Sequence, residues 1–244
     1  MRLIKFISLF IFFASITSCK KENMGDCFKS TGKIVEEQRQ TADFYSIEVE
    51  DRINLHLTQS NQRTITVKAG KNLQEFIDLS VQDNTLYIKN NNRCNWVRSF
   101  KKEIDIYISL PEVHNIVYRG GGDVELTNTF TQTNFALDMW KASGNIYLSL
   151  NCDYVSLKSH AGTADITCNG TSNELILYTN GNGFINAENL QAKKALAINK
   201  NTGQLVVRVS DELKAEIKGS GNIEYFGNPT IDLTKTGTGN LIHR

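Results

Sequence analysis

The residues best suited to chemistry are four histidines, His56, His114, His160 and His243. They are scattered, with no HExxH and no paired spacing of the kind a metal site needs. No GxSxG elbow and no CxxC occurs. The carboxylates Asp138, Asp153, Glu174, Glu188 and Glu216 fall mostly at positions whose alternation assigns them to outer faces. Asp138 and Lys158, one repeat apart, come nearest to a catalytic pair. These observations assign no catalytic residue, no metal and no cofactor. A β-helical polysaccharide-active enzyme, which would gather Asp, Arg or Lys on neighbouring rungs, stands as a rival reading. A phosphate loop is excluded, because the glycine-rich phrases lack the Lys-Ser/Thr ending and following helix of such a loop.

A ligand could instead be held by rings. Trp140 and His160 lie four residues before a recurring glycine mark and Tyr178 lies five before one, and all three follow inward-facing positions. Tyr118 shares the offset with a parity that alternation does not fix. An outward aromatic file could stack against sugars or a partner protein; the alternative is that it shields a sheet surface or packs under a loop.

The marks that set these offsets are GGDV, SGNI, TADI, NGFI, TGQL, SGNI and TGNL. Their second residues are Gly122, Gly144, Ala164, Gly183, Gly203, Gly221 and Gly239, 18 to 22 residues apart. Self-similarity at such a period signals a solenoid. Between marks apolar residues alternate, as in YVSLKS and LKAEIK, which is the strand pattern. A unit this short cannot bury its apolar face alone, but stacked units can, each about 4.8 Å above the last. The expected fold is therefore all-β, a right-handed parallel β-helix with glycine corners. Glycine is expected there because a sharp bend often needs positive φ. Asp123, Asn145, Asp165, Asn222 and Asn240 should form one file, with amide side chains bonding to the next rung.

Upstream, FYSIEVEDRINLHLTQ, TITVKAG, LSVQDNTLYIKN and EIDIYISLPEV read as strands. Hairpin turns are expected at Ser60–Gln62 and Asp83–Thr85, in an antiparallel region over residues 42–115 that caps the solenoid of residues 116–244. No capping sequence follows the last mark, and self-association could cover that end as a homo-oligomer.

Register also sorts the cysteines. Cys168 should lie over Leu148 and not over Cys152, about 13 Å away along the strand, too far for a disulfide. Both are expected as buried free thiols, leaving Cys27 with Cys94 as the possible disulfide.

The chain from about residue 42 onward resembles the family of exported bacterial proteins called putative auto-transporter adhesin, head GIN domain. FYSIEVEDRINLHLTQ, LPEVHNIVYRGGGDVE, the corner phrases and GSGNIEYFGNP carry the resemblance. It implies a β-helical fold and a lipoprotein or secreted habit, and it supplies no catalytic residues. Thr163–Ala164 and Phe184 depart from the glycine-then-Asn/Asp pattern.

The first residues give an address. MRLIK is charged, FISLFIFFASI is apolar but short for a bilayer span, and small residues precede Cys19. This resembles a bacterial lipoprotein signal over residues 1–18, with lipid on Cys19 and a polar tether over residues 19–41. Losing Arg2 and Lys5 takes the formal net charge from +1 to −1, since 25 Lys and Arg then face 26 Asp and Glu. So balanced a charge argues against nucleic acid. The expected protein is a non-enzymatic, lipid-anchored outer-membrane lipoprotein of the cell envelope, in the surface or the periplasmic leaflet. It would present its solenoid to a glycan or an envelope-protein partner, as an adhesin or as a periplasmic scaffold.

Overall fold

The computed structural model describes residues 30–92 and 103–244. The leader, Cys19, Cys27 and Cys94 lie outside the described residues. The chain folds into a β-solenoid of about six turns with rungs about 20 residues apart. The strand β1 (Ile34–Arg39) precedes the stack. β2 (Ser46–Asp51) and β3 (Asn54–Gln59) then form the two halves of one rung. β4 (Thr64–Gly70) and the hairpin of β5 (Ile77–Gln82) and β6 (Thr85–Asn90) lead to β7 (Asp105–Leu110). On the far side of β2 and β3 lie β8 (Asn115–Gly120) and β9 (Val124–Leu126).

Long bent strands continue the stack, each parallel to the next: β10 (Phe130–Ala142), β11 (Asn145–Gly162), β12 (Asp165–Thr179), β13 (Ile185–Asn199) and β14 (Leu205–Ile217). β15 (Ile223–Phe226) and β16 (Thr230–Lys235) lie on β14, and β17 (Leu241–His243) lies on β15.

The alternation read from sequence becomes columns in the interior. Val124, Ile146, Ile166, Ile185, Leu205 and Ile223 are successive register partners, and all are buried. A second column runs Ile47, Ile116, Leu137, Leu157, Leu177, Ala197 and Ala215 on the other face. Burying each Leu or Ile is worth roughly 1.5–3 kcal/mol. A single rung contributes only a few such residues, so the rungs are stable together. The columns run out at β16, whose inward-parity residues Ile231 and Leu233 are 40% and 45% exposed. Among the described residues no strand lies on its outer edge.

The region 42–115 departs from the expected antiparallel cap. Its β2 and β3 are a rung of the parallel stack, and β6 and β7 form another beside it. Among the described residues, only the pairs β1–β4, β4–β7 and β5–β6 are antiparallel. The sequence shows alternation but not direction, so strands of either sense look alike upstream of the glycine marks. The turn at Asp83–Asn84 is a two-residue hairpin with both residues at positive φ, 48° and 57°, as a type I′ turn requires. Ser60–Gln62 is not a hairpin: β3 and β4 are not register partners, and β7 lies between them, paired with both. The expected tether also shortens, because Ile34–Arg39 pairs along its whole length with β4. An edge strand needs one backbone neighbour and little apolar surface, which left it without a pattern in the sequence.

The glycine corners form a file, but for another reason than the one expected. Of the marked glycines only Gly144 has positive φ, 109°. Their common constraint is closeness to the rung below. A Cβ on Gly122 would lie 2.3 Å from the Ile53 carbonyl oxygen, on Gly144 2.1 Å from that of Gly122, on Gly221 2.0 Å from that of Gly203, and on Gly239 2.1 Å from that of Gly221. A second file two residues earlier, absent from the sequence reading, obeys the same rule. There Gly162 faces the carbonyl oxygen of Ala142, Gly219 that of Asn201 and Gly237 that of Gly219, each at 2.1 Å. Beside the corner, the Asn54 side-chain oxygen accepts from the Asp123 backbone N–H at 3.0 Å, that of Asp123 from Asn145 at 2.7 Å, that of Asp165 from Phe184 at 2.8 Å and that of Asn222 from Asn240 at 2.8 Å. The expected Asn/Asp file exists, and its bonds run mainly from backbone N–H to side-chain oxygen. Inside the corner, the Tyr118 hydroxyl donates to the Gly122 carbonyl and accepts from its N–H, both at 2.7 Å. Buried Asn199 donates to the Gly203 and Asn222 carbonyls at 2.9 and 3.0 Å. Backbone groups turned inward at a bend need such partners.

Gly221→Ala is therefore expected to cost about 1–3 kcal/mol, as overpacking of a tight interior does. Gly203→Ala, whose Cβ would stand 2.7 Å from the Gly183 carbonyl oxygen, should cost less. Urea unfolding midpoints read the difference, and an unchanged midpoint for Gly221→Ala would contradict the close-approach argument.

Candidate functional site

The outer face carries a column of rings and charges along the solenoid. Trp140 and His160 stack with centroids 4.0 Å apart and planes 9° from parallel, and Tyr178 follows at 5.4 Å and 42°. Cations close both ends: the Arg119 guanidinium stands 5.9 Å from the Trp140 ring and the Lys200 ammonium 5.1 Å from Tyr178. Glu48 accepts from Arg119 at 3.0 Å, and Asp138 lies 2.8 Å from the His160 Nε2. The rung spacing produces this arrangement, because planar side chains on neighbouring rungs lie near van der Waals contact, although the rings are not register partners: Trp140 pairs with Ala161 and Tyr178 with Lys158. The faces of the rings are turned toward one another, so solvent meets mostly their edges.

Tyr118 is not in this column. It is fully buried, and burial pushes its hydroxyl pKa well above the ordinary phenol value. Its register partner is Met139, an inward residue. Trp140 follows Met139 and points outward by simple alternation; the register shift between Met139 and Ala142, with Lys141 at φ 56°, adds a residue before the corner, so the offset that falls on inward Tyr118 falls on outward Trp140. Counting offsets from the corner could not detect that bulge.

The histidines share a pattern that the sequence hid. Each stacks on an aromatic ring from a distant part of the chain: His56 on Tyr107, His114 on Tyr45, His160 on Trp140 and His243 on Tyr225. Three of them also face a carboxylate, Asp105 and Glu125 for His56, Glu112 for His114 and Asp138 for His160. Apart from Glu112, two residues from His114, these partners are distant in sequence, which explains the missing motif. Among the described residues no group of three His, Cys, Asp or Glu is arranged to hold a metal.

Several other outer charges are engaged in pairs. The hydrogen bond from Lys218 holds the Glu216 carboxyl below the usual range, and that from Arg244 does the same for Glu224. Lys194 and Glu212 pair at 2.8 Å. Asp138 and Lys158 are register partners as expected, but the close partner of Asp138 is His160.

A second feature was not anticipated. On the side away from the glycine corner the rungs bend inward at Gln132, Cys152, Ser172 and Ala192. The outward residues on either side of the bend line a trough of about 630 Å³. One bank is Thr131, Asn151, Thr171 and Gln191; the other is Thr133, Asp153, Asn173 and Lys193. The interval of 20 residues is visible in the sequence, but the strand pattern gives no sign that the surface there is concave. Thr171 donates to the Asn151 side-chain oxygen at 3.0 Å, and Asn173 to Asp153 at 2.6 Å.

Cys152 and Cys168 are both buried free thiols, and Cys168 is the register partner of Leu148, as expected. Burial raises both thiol pKa values above the ordinary one.

With this geometry in place, the chain is seen to belong to the family described as putative auto-transporter adhesin, head GIN domain, whose model matches residues 43–229. Solved structures agree. A putative adhesin from Bacteroides fragilis is 29% identical, with a TM-score of 0.81 over 87% of this chain and 97% of that one. A putative lipid binding protein from Parabacteroides distasonis and a putative adhesin from Parabacteroides merdae are each 18% identical, with TM-scores of 0.64 and 0.60. Each likeness covers 88% of this chain and 98% of the other, and at that identity it shows the shared fold. No curated protein matches the chain. Among the described residues no helix is long and apolar enough to cross a membrane.

Alkylation of the native protein at pH 9, followed by site-resolved mass spectrometry, is expected to leave Cys168 unmodified and Cys152 slow. A raised pKa keeps these thiols protonated where an ordinary thiol is largely ionised. Both should label fully in denaturant; rapid native labelling of Cys168 would contradict its place in the interior.

Proposed function

We propose that this protein is a non-enzymatic adhesin of the bacterial envelope, tethered through lipid on Cys19, with the solenoid surface as its binding face. The observation that carries the reading is the near-complete likeness to the putative adhesin of Bacteroides fragilis, within a family described by the same activity. The outer surface supports it. A stack of rungs is a rigid scaffold that repeats side chains along one axis, which suits contact with an extended partner. Several of its charged groups are satisfied by one another: Asp138 lies against His160 and Glu224 against Arg244. A hydrolytic site would keep an acid and a base free to face a substrate.

Lipid on Cys19 agrees with the apolar run and small residues before it. More than one acyl chain is needed for stable anchoring, which the modification of a lipoprotein cysteine supplies. A periplasmic scaffold would share the fold and the anchor but face inward.

Cells producing the full chain are expected to shed the domain when treated intact with protease. They should adhere to neighbouring cells or a mucin-coated surface several-fold better than cells lacking it, and Cys19→Ser should release the protein from the membrane fraction. Protection from protease together with unchanged adherence would overturn the adhesive reading in favour of the scaffold.

A further inference from the structure

We propose that the trough opposite the glycine corner is the ligand site, and that it takes an extended segment of a neutral polysaccharide. The inference rests on the adhesive reading and adds to it a place and a ligand class.

Three features of the trough select this ligand. The first is charge. The banks carry hydroxyls and carboxamides, and their two charges, Asp153 and Lys193, are of opposite sign. A polyanion finds no net attraction there, whereas sugar hydroxyls, each donor and acceptor at once, match groups of the same dual character.

The second is repeat. Thr131, Asn151 and Thr171 are consecutive register partners, so equivalent groups recur about every 4.8 Å. That interval is close to the length of one hexose in an extended chain. Four rungs span about 14 Å, room for about three sugars in the volume of about 630 Å³.

The third is preorganisation with capacity left over. The bonds from Thr171 to Asn151 and from Asn173 to Asp153 hold side chains of both banks in place. They leave the Asn151 amide hydrogens and the Asn173 carbonyl oxygen for a ligand, and side chains ordered in advance lower the entropic cost of binding. The aromatic column is the poorer platform, because Trp140, His160 and Tyr178 stack on one another. The trough is also unsuited to cleaving what it binds, since Asp153 is its one carboxylate among the described residues.

The test is calorimetric titration of the full mature chain with a panel of neutral hexasaccharides of glucose, mannose and galactose, and with a heparin hexasaccharide as the anionic probe. At least one neutral member is expected to bind, and heparin is not. Asn151→Ala/Asn173→Ala should weaken binding about tenfold through two lost hydrogen bonds. Thr133→Arg, which fills the trough, should abolish it, and His160→Ala on the aromatic column should leave it unchanged. All three trough substitutions are at exposed positions, so melting temperatures should hold. Absence of neutral binding, preference for heparin, or full binding by Thr133→Arg would overturn the proposal. Adherence by cells whose protein binds no neutral glycan would remove this site while leaving the adhesive reading intact.

Discussion

The architecture depends on one contact, the approach of each corner to the backbone of the corner beneath it. At Gly122, Gly144, Gly221 and Gly239 the space where a Cβ would stand lies within 2.3 Å of a carbonyl oxygen on the preceding rung. Hydrogen bonding between parallel strands fixes the rung spacing, and the bend brings the carbonyl and the next Cα together. At these four positions a side chain would push the rungs apart at the bend and strain ladder bonds on both faces. The sequence pays tribute to this steric limit twice per turn, in two glycine files, with Ala142, Ala164 and Asn201 at places where the file is interrupted.

The interior follows from that spacing. Once rungs are held in register, like side chains lie over like, and aliphatic columns fill the space between the faces. Polar side chains enter at the corner, where the bend turns backbone groups inward. Tyr118, Asn199 and Asn201 then serve as partners for corner carbonyls. Outside, the same register places the polar residues of the trough in two rows, and side chains from neighbouring rungs bring Arg119, Trp140, His160, Tyr178 and Lys200 into one column. The surface is thus a consequence of the stack and shares its periodicity.

Much of this was legible in the sequence. The seven marks located the corners from residue 121 onward, and parity placed Cys168 over Leu148. What failed had physical causes. Tyr118 and Trp140 occupy the same offset yet point in opposite directions, because a bulge at Lys141 changes parity after the offset is counted. β2 and β3 lack a glycine mark, with Asp51 at positive φ and Ile53 at their corner, so a parallel rung looked like part of an antiparallel cap. β1 is an edge strand with little apolar content and looked like a tether. The trough needed the curvature of the strands, which no residue pattern encodes.

Cross-linking across one rung step tests the stacked register most directly. Tyr147 and Thr167 are outward register partners, with Cα atoms expected about 4.8 Å apart. Asn169 lies two residues further along, which puts it about 8 Å from Tyr147. With Tyr147→Cys/Thr167→Cys, a short bifunctional thiol reagent should join the two peptides in near-quantitative yield by mass spectrometry, and with Tyr147→Cys/Asn169→Cys it should join few. Equal yields, or preference for the second pair, would contradict the register on which the corners, the columns and the trough all depend.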